Sequence, residues 1–143
     1  MTATETQQAN VALAGAVTAL YTGDSAESLA ERFDEFFTED FAWHSAIITG
    51  VEGEAWRGRE GWERWGRELF ESFEYVRVDR LAHTPIGDDT VLSLGRARVL
   101  GRDSRAELES EISFVWRMRD GRVASCHGFL SHERGRQEAQ RAP

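Results

Sequence analysis

Few residues in this chain could move a proton near neutral pH. His127 carries the side-chain type that titrates closest to neutrality, and it stands beside the only thiol, Cys126. Ser45 follows His44 in a short apolar run. His127 and Ser45 are therefore the candidate catalytic residues for cofactor-independent chemistry. Neither Ser45 nor Ser93 has a His and an Asp at relay spacing, which argues against acyl transfer. The histidines are scattered singly, with no His-Glu-x-x-His pattern and no cysteine pair, so no metal site is expected. No glycine-rich phosphate loop follows a strand, and no cofactor is expected. All 17 basic residues are Arg, which excludes Schiff-base chemistry on a lysine.

The elements that must position these residues lie late in the chain. Leu108, Ser110, Ile112, Phe114, Trp116 and Met118 alternate with Glu107, Glu109, Glu111, Ser113, Val115 and Arg117, the period-2 pattern of a half-buried strand. Asp120-Gly121 then separates this run from a second one, Arg122 to His132, a strong hairpin signal. Two registers are open. A two-residue turn sets Phe114 opposite His127, and a three-residue loop with Gly121 in a bulge sets it opposite Cys126. A one-residue slip reverses every side chain of the last strand.

The preceding run alternates Val91, Ser93, Gly95, Ala97 and Val99 with Leu92, Leu94, Arg96, Arg98 and Leu100. A turn at Asp103-Ser104 would set Arg98 opposite Glu109 and Arg96 opposite Glu111, charge pairs each worth about 0.2–1 kcal/mol. The other face then sets Gly95 across from Ile112 and Ala97 across from Ser110, small residues that leave space under the sheet. Around that space the expected ligand-lining residues are Trp43, Ser45, Trp56, Ser93, Ile112, Phe114 and Trp116, joined by Cys126 and Leu130 in the three-residue-loop register. Tryptophans lining a cone could stack on a flat, ringed ligand, and they could equally be plain core, as the helical spacing of Trp62 and Trp65 suggests. The alternating Arg and Glu side chains read as a solvated face or a polar dimer interface, or as a buried cluster if the register slips by one.

Upstream, a helix is predicted from Asn10 to Tyr21, with Leu13, Val17, Leu20 and Tyr21 on one face. Asp24 and Glu27 fit an N-terminal capping box for a second helix carrying Leu29, Phe33, Phe36 and Phe37. A strand follows over 41–46, then a loop with Gly50 and Gly53. Gly58-Arg59-Glu60-Gly61 opens a third helix bearing Trp62, Trp65, Leu69 and Phe73. A strand over 75–84, the Gly87-Asp88-Asp89 turn and the two long strands complete a sheet. The predicted fold is α+β, with a cone-shaped curved antiparallel sheet wrapped around helices in one domain. Its bounds are residues 10–132, after a disordered leader (1–9) and before a frayed polar tail (133–143).

Composition bounds the rest. With 29% charged and 41% hydrophobic residues the chain is globular in type. A net charge of -8 without a basic stripe argues against nucleic acid and anionic lipid as partners. No apolar run approaches the roughly 20 residues that span a bilayer. The first residues have neither a basic nor an apolar signal region, so a cytoplasmic location is expected.

Element order and local motifs together resemble the SnoaL-like branch of the nuclear-transport-factor-2-like superfamily, which includes ketosteroid isomerases, polyketide cyclases and limonene epoxide hydrolases. The marks are Gly23-Asp24, Phe37-Thr38-Glu39-Asp40 before Trp43-His44, Gly58-Arg59-Glu60-Gly61, and the run from Val115 to Val123. The resemblance implies a cone pocket for a small hydrophobic molecule and a homodimer through the outer sheet face. It also implies isomerase, cyclase or dehydratase chemistry if the protein is an enzyme. Carried over position by position, the family's acids are missing. The ketosteroid isomerase base and oxyanion pair fall on Ser45, Ala16 and Phe114, and the epoxide hydrolase trio falls near Arg96, Arg98 and Gly128. No Asp follows Asp120 to serve a cyclase. The alternative is therefore a non-catalytic ligand-binding or scaffold protein.

Overall fold

The computed structural model describes residues 3–21, 31–48 and 54–141. The elements in chain order are helix α1 (Glu5–Tyr21), a one-turn helix α2 (Phe33–Phe36), strands β1 (Phe37–His44) and β2 (Trp56–Arg57), helix α3 (Gly58–Ser72), strands β3 (Phe73–Ile86), β4 (Thr90–Gly101), β5 (Glu107–Arg119) and β6 (Arg122–Phe129), and helix α4 (His132–Ala139). The six strands form one curved sheet in the order β2-β1-β6-β5-β4-β3. This is the expected α+β single domain, with helices α1 and α3 against the inner face. One pairing departs from an all-antiparallel sheet: β1 runs parallel to β6. The expected capping box at Asp24 and Glu27, Leu29, and the Gly50 and Gly53 loop lie outside the described residues.

The β4–β5 register is the one that charge pairing predicts. Arg98 is opposite Glu109, Arg96 opposite Glu111, Gly95 opposite Ile112 and Ala97 opposite Ser110. The shorter contacts run diagonally, beside a direct Arg98–Glu109 contact at 4.0 Å. Arg96 reaches Glu109 at 3.5 Å and Arg98 reaches Glu107 at 3.7 Å, because Glu111 is drawn off to accept the backbone N–H of His132 at 2.9 Å. These pairs are about half exposed, so each stabilises little.

Gly95 does not leave the open space expected of it. β3 bulges between Asp79 and Ala82, with Arg80 at a φ of 55°, and folds Leu81 over the glycine. A Cβ there would come within 2.7 Å of the Asp79 carbonyl and 2.8 Å of Leu81.

Residues 5–9 and 132–139 are more ordered than their polar composition predicts. Residues 5–9, expected in a disordered leader, are helical because α1 is tied to the β3–β4 turn. Gln7 donates to the Gly87 carbonyl at 3.1 Å, and Asn10 to the Asp88 carbonyl at 2.8 Å. The tail expected to fray forms α4, capped by Ser131, whose hydroxyl accepts the Arg134 N–H at 3.1 Å. The helix lies on the outer sheet face and closes a second small core of Leu92, Val115, Phe129 and Ala139. Gly135 permits that approach, since a Cβ on it would collide with Ser113.

Candidate functional site

The final hairpin combines features of both expected registers. Asp120 and Gly121 form a two-residue turn with φ of 54° and 77°, pairing Arg119 with Arg122 and Met118 with Val123. The register then shifts by one between Arg117 and Met118, where Ala124 is extra, so that Trp116 pairs with Cys126 and Phe114 with Gly128. A β-bulge of this kind adds one residue to one strand and turns the side chains beyond it over. The turn alone would have brought His127 inward. The bulge instead turns Cys126, Gly128 and Leu130 inward and sets His127 opposite Val115 on the outer face.

The inward aromatic side chains meet one another at the closed end of the cone. Trp43, Phe114 and Trp116 are each 1% exposed. Trp43 crosses Trp62 edge-on at 5.7 Å and Trp65 at 5.2 Å, while Trp62 and Trp65 stack at 4.8 Å. Such pairs add about 0.5–1.5 kcal/mol each beyond burial. Ile112 and Cys126 are fully buried with them, and burial pushes the Cys126 thiol well above its ordinary pKa. Trp56 is buried and donates its indole N–H to the Ile48 carbonyl at 3.1 Å.

The polar candidates in the cone are engaged by the protein. The Ser45 hydroxyl accepts the backbone N–H groups of Ile47 and Ile48, both at 3.2 Å. Fully buried Ser93 accepts the Trp116 indole N–H at 2.9 Å and lies 2.6 Å from Nδ1 of His83. His83 is thus half-buried and turned into the cone. Burial holds its imidazole below the usual pKa. His132 places Nε2 2.7 Å from the Gly95 carbonyl.

Of the nine expected lining residues, Trp56 borders a small opening of about 280 Å³ among Glu54, Arg57, Glu60 and Arg64, and Leu130 borders an opening of the cone. A cavity of about 310 Å³ sits at the open end of the cone among Ile47, Phe73, Ala97, Val99, Leu108 and Leu130, with Glu109 and Ser110 at its edge. Leu108 is 64% and Leu130 50% exposed, two large apolar side chains left at one rim. Among the described residues of this rim, Glu109 is the titratable group, and its carboxylate is held outward by Arg96 and Arg98 at 3.5 and 4.0 Å.

A larger hollow, about 570 Å³, lies on the opposite face of the sheet between β1, β5, β6 and α4. It holds His127, whose ring stacks on His44 at 4.6 Å. The sequence pattern could not show this pair, since β1 and β6 lie about 80 residues apart and only their parallel pairing sets His44 beside His127. Glu138 on α4 adds a carboxylate 3.7 Å from His127. Among the described residues no group of three or more His, Cys, Asp or Glu side chains could hold a metal ion, and no helix is long and apolar enough to cross a membrane.

Comparisons with known proteins bear on this geometry. A family model described as SnoaL-like domain matches residues 16–126. A candidate polyketide cyclase from Xanthomonas campestris superposes with a TM-score of 0.74 at 12% identity, over 91% of this chain and 96% of that one. A protein of ketosteroid-isomerase-like fold from Catenulispora acidiphila, solved with trimethylamine, gives 0.68 at 18% identity, over 83% and 85%. TerC, co-crystallised with polyporic acid, gives 0.69 at 15% identity, over 93% and 99%. No curated protein matches the chain in sequence.

Proposed function

The chain belongs to the SnoaL-like domain family, and from that premise we propose that it binds a small apolar ring compound at the mouth of its cone. The observation that carries this reading is the cavity of about 310 Å³ rimmed by exposed Leu108 and Leu130. Adjoining large apolar side chains left in water mark a binding surface far more often than scattered single ones do. The volume stands at the small end of ligand pockets, which run about 300–1,000 Å³, and so suits one or two rings rather than a polycycle. The co-crystal of TerC with polyporic acid supports an aromatic ligand. Trp43, Phe114, Trp116 and Ile112 then serve as the rigid floor beneath the ligand, and Leu130 touches it.

The reading is binding rather than a committed reaction. Ser45 is spent on two backbone N–H groups, and His127 faces away from the cone. Isomerase, cyclase or dehydratase chemistry would need a proton carrier at the rim, where Glu109 is the titratable group among the described residues. A homodimer through the exposed outer face around Arg96, Arg98, Glu107 and Glu109 belongs to the same proposal, with α4 bordering the contact. A cytoplasmic location does too, supported by the single buried Cys126, a usage common in reducing compartments.

The test is a thermal-shift titration with 1-naphthol and indane on the wild-type chain and on Ala97→Phe, which fills the mouth. A ligand that binds only the folded state raises the midpoint with concentration. Saturable stabilisation of the wild type and its loss in Ala97→Phe are expected. Equal shifts in both proteins, or none in either, would defeat the reading. Light scattering after size exclusion reports the dimer.

A further inference from the structure

Six of the eight side chains around the mouth are apolar, and the remaining two, Glu109 and Ser110, behave differently. Alternation along β5 sends them to opposite faces of the sheet. Glu109 stands with Arg96 and Arg98 at 3.5 and 4.0 Å on the outer face, so guanidinium groups match its charge and draw it away from the cavity. Ser110 is on the inner face, directly opposite Ala97, whose single methyl is too short to cover it. It is half-buried. Among the described residues it is the one polar side chain on the inner face of the mouth.

The Ser110 hydroxyl is left with one role. It donates its only proton to the Glu111 carbonyl at 2.9 Å, which leaves the oxygen lone pairs to accept. In an open mouth, water can donate to them. A ring that fills the mouth displaces that water, and displacing a water without reproducing its hydrogen bond lowers affinity. A bare hydrocarbon therefore binds at a cost, and so does a ligand whose polar atom can only accept.

Charge narrows the ligand further. A carboxylate or phenolate would meet the Glu109 carboxylate at the same rim while Arg96 and Arg98 are engaged by that residue, on a chain whose net charge is -8. A protonated amine would leave water for apolar walls with no unmatched carboxylate facing it among the described residues, and an unpaired charge is expensive to desolvate. The molecule that suits the mouth is neutral.

We propose that the ligand of the mouth is a neutral molecule of one or two rings with a hydroxyl on its edge, and that Ser110 selects it by accepting a hydrogen bond from that hydroxyl. The ring packs among Phe73, Val99 and Leu130, and the hydroxyl stays at the rim. Resting on the mouth as the binding site, this gives Ser110 the choice between ring compounds of one shape.

Isothermal titration with 5-indanol and indane compares ligands of one ring system that differ by the hydroxyl, and indane-5-carboxylate adds a charge. The wild type should bind 5-indanol at least about fivefold more tightly than indane, and should not bind the carboxylate. Ser110→Ala should erase the preference by weakening 5-indanol while indane binds no more weakly than before. Ser110→Thr, which keeps the acceptor, should retain it. The assignment is overturned if indane binds the wild type as tightly as 5-indanol, if Ser110→Ala keeps the preference, or if the carboxylate binds best. Ala97→Phe tells this failure from failure of the site. Indane that binds the wild type and not Ala97→Phe supports the mouth whatever the hydroxyl does, whereas ligands that bind both proteins equally, or neither, defeat the site and the assignment together.

Discussion

Nδ1 of His83 lies 2.6 Å from Oγ of Ser93, a contact between directly opposed residues of β3 and β4 inside the cone. Ser93 also accepts the indole N–H of Trp116 at 2.9 Å, so one hydroxyl satisfies polar atoms from two neighbouring strands. Ser93 is fully buried, and this serine–histidine pair therefore ties β3, β4 and β5 together inside the cone.

Ser93→Ala strands the Trp116 N–H and the His83 nitrogen together. Leaving buried polar groups unpaired costs about 1–3 kcal/mol, and urea denaturation should show a loss of that size. An unchanged midpoint would mean that the contact contributes nothing.

Stability should fall as pH drops below about 6.5, the unperturbed histidine value. The His44, His83 and His127 imidazoles are held below that value chiefly by burial. Above it they are neutral in both folded and unfolded chains. Below it the unfolded chain binds protons first, which favours unfolding until the folded-state pKa values are passed. The Glu111 carboxylate, lowered by the His132 N–H, adds its own loss only below about 4.3. Urea midpoints at pH 7.5, 6.0 and 5.0 should decline, and His83→Phe should flatten part of the slope. A flat profile across that range would contradict this account.

Gly135→Ala should destabilise the protein even though alanine is the better helix former by about 1 kcal/mol. The added methyl meets Ser113 beneath α4, and overpacking of this kind costs about 1–3 kcal/mol. Faster hydrogen exchange in α4 with the remaining sheet unaffected would locate the damage. A stabilised variant would mean that the helix does not sit against Ser113.

Leu108→Ser with Leu130→Ser should abolish ring-compound binding at the mouth while changing stability by no more than about 0.5 kcal/mol per site, as surface replacements do. Isothermal titration separates the two effects. Retained affinity would move the ligand away from this rim.

Trp65→Ala should cost about 3–5 kcal/mol. Trp65 is fully buried and joins Trp43 to Trp62, so its removal takes several ring contacts at once. Thermal denaturation measures the loss, and a cost under 1 kcal/mol would show that the cluster collapses around the gap.

The local part of this fold was legible in the amino-acid order. Period-2 alternation from Val91 to Met118 and opposite charges at Arg98 and Glu109 determine the β4–β5 register, since each depends on neighbours a few residues away. Asp120-Gly121 likewise determines a tight turn. Tertiary structure decided what these elements surround. The extra residue Ala124 carries no mark in the alternation, yet it turns His127 out of the cone. Alternation also says that Trp43 and Trp116 point inward, but whether inward rings border a hollow or meet other rings depends on where α3 lays Trp62 and Trp65. The polar run after Ser131 lacks a helix signal of its own and is ordered by a cap and by the fit of Gly135 over Ser113. The His44–His127 pair exists because β1 returns beside β6, a long-range pairing that leaves no periodicity in either strand.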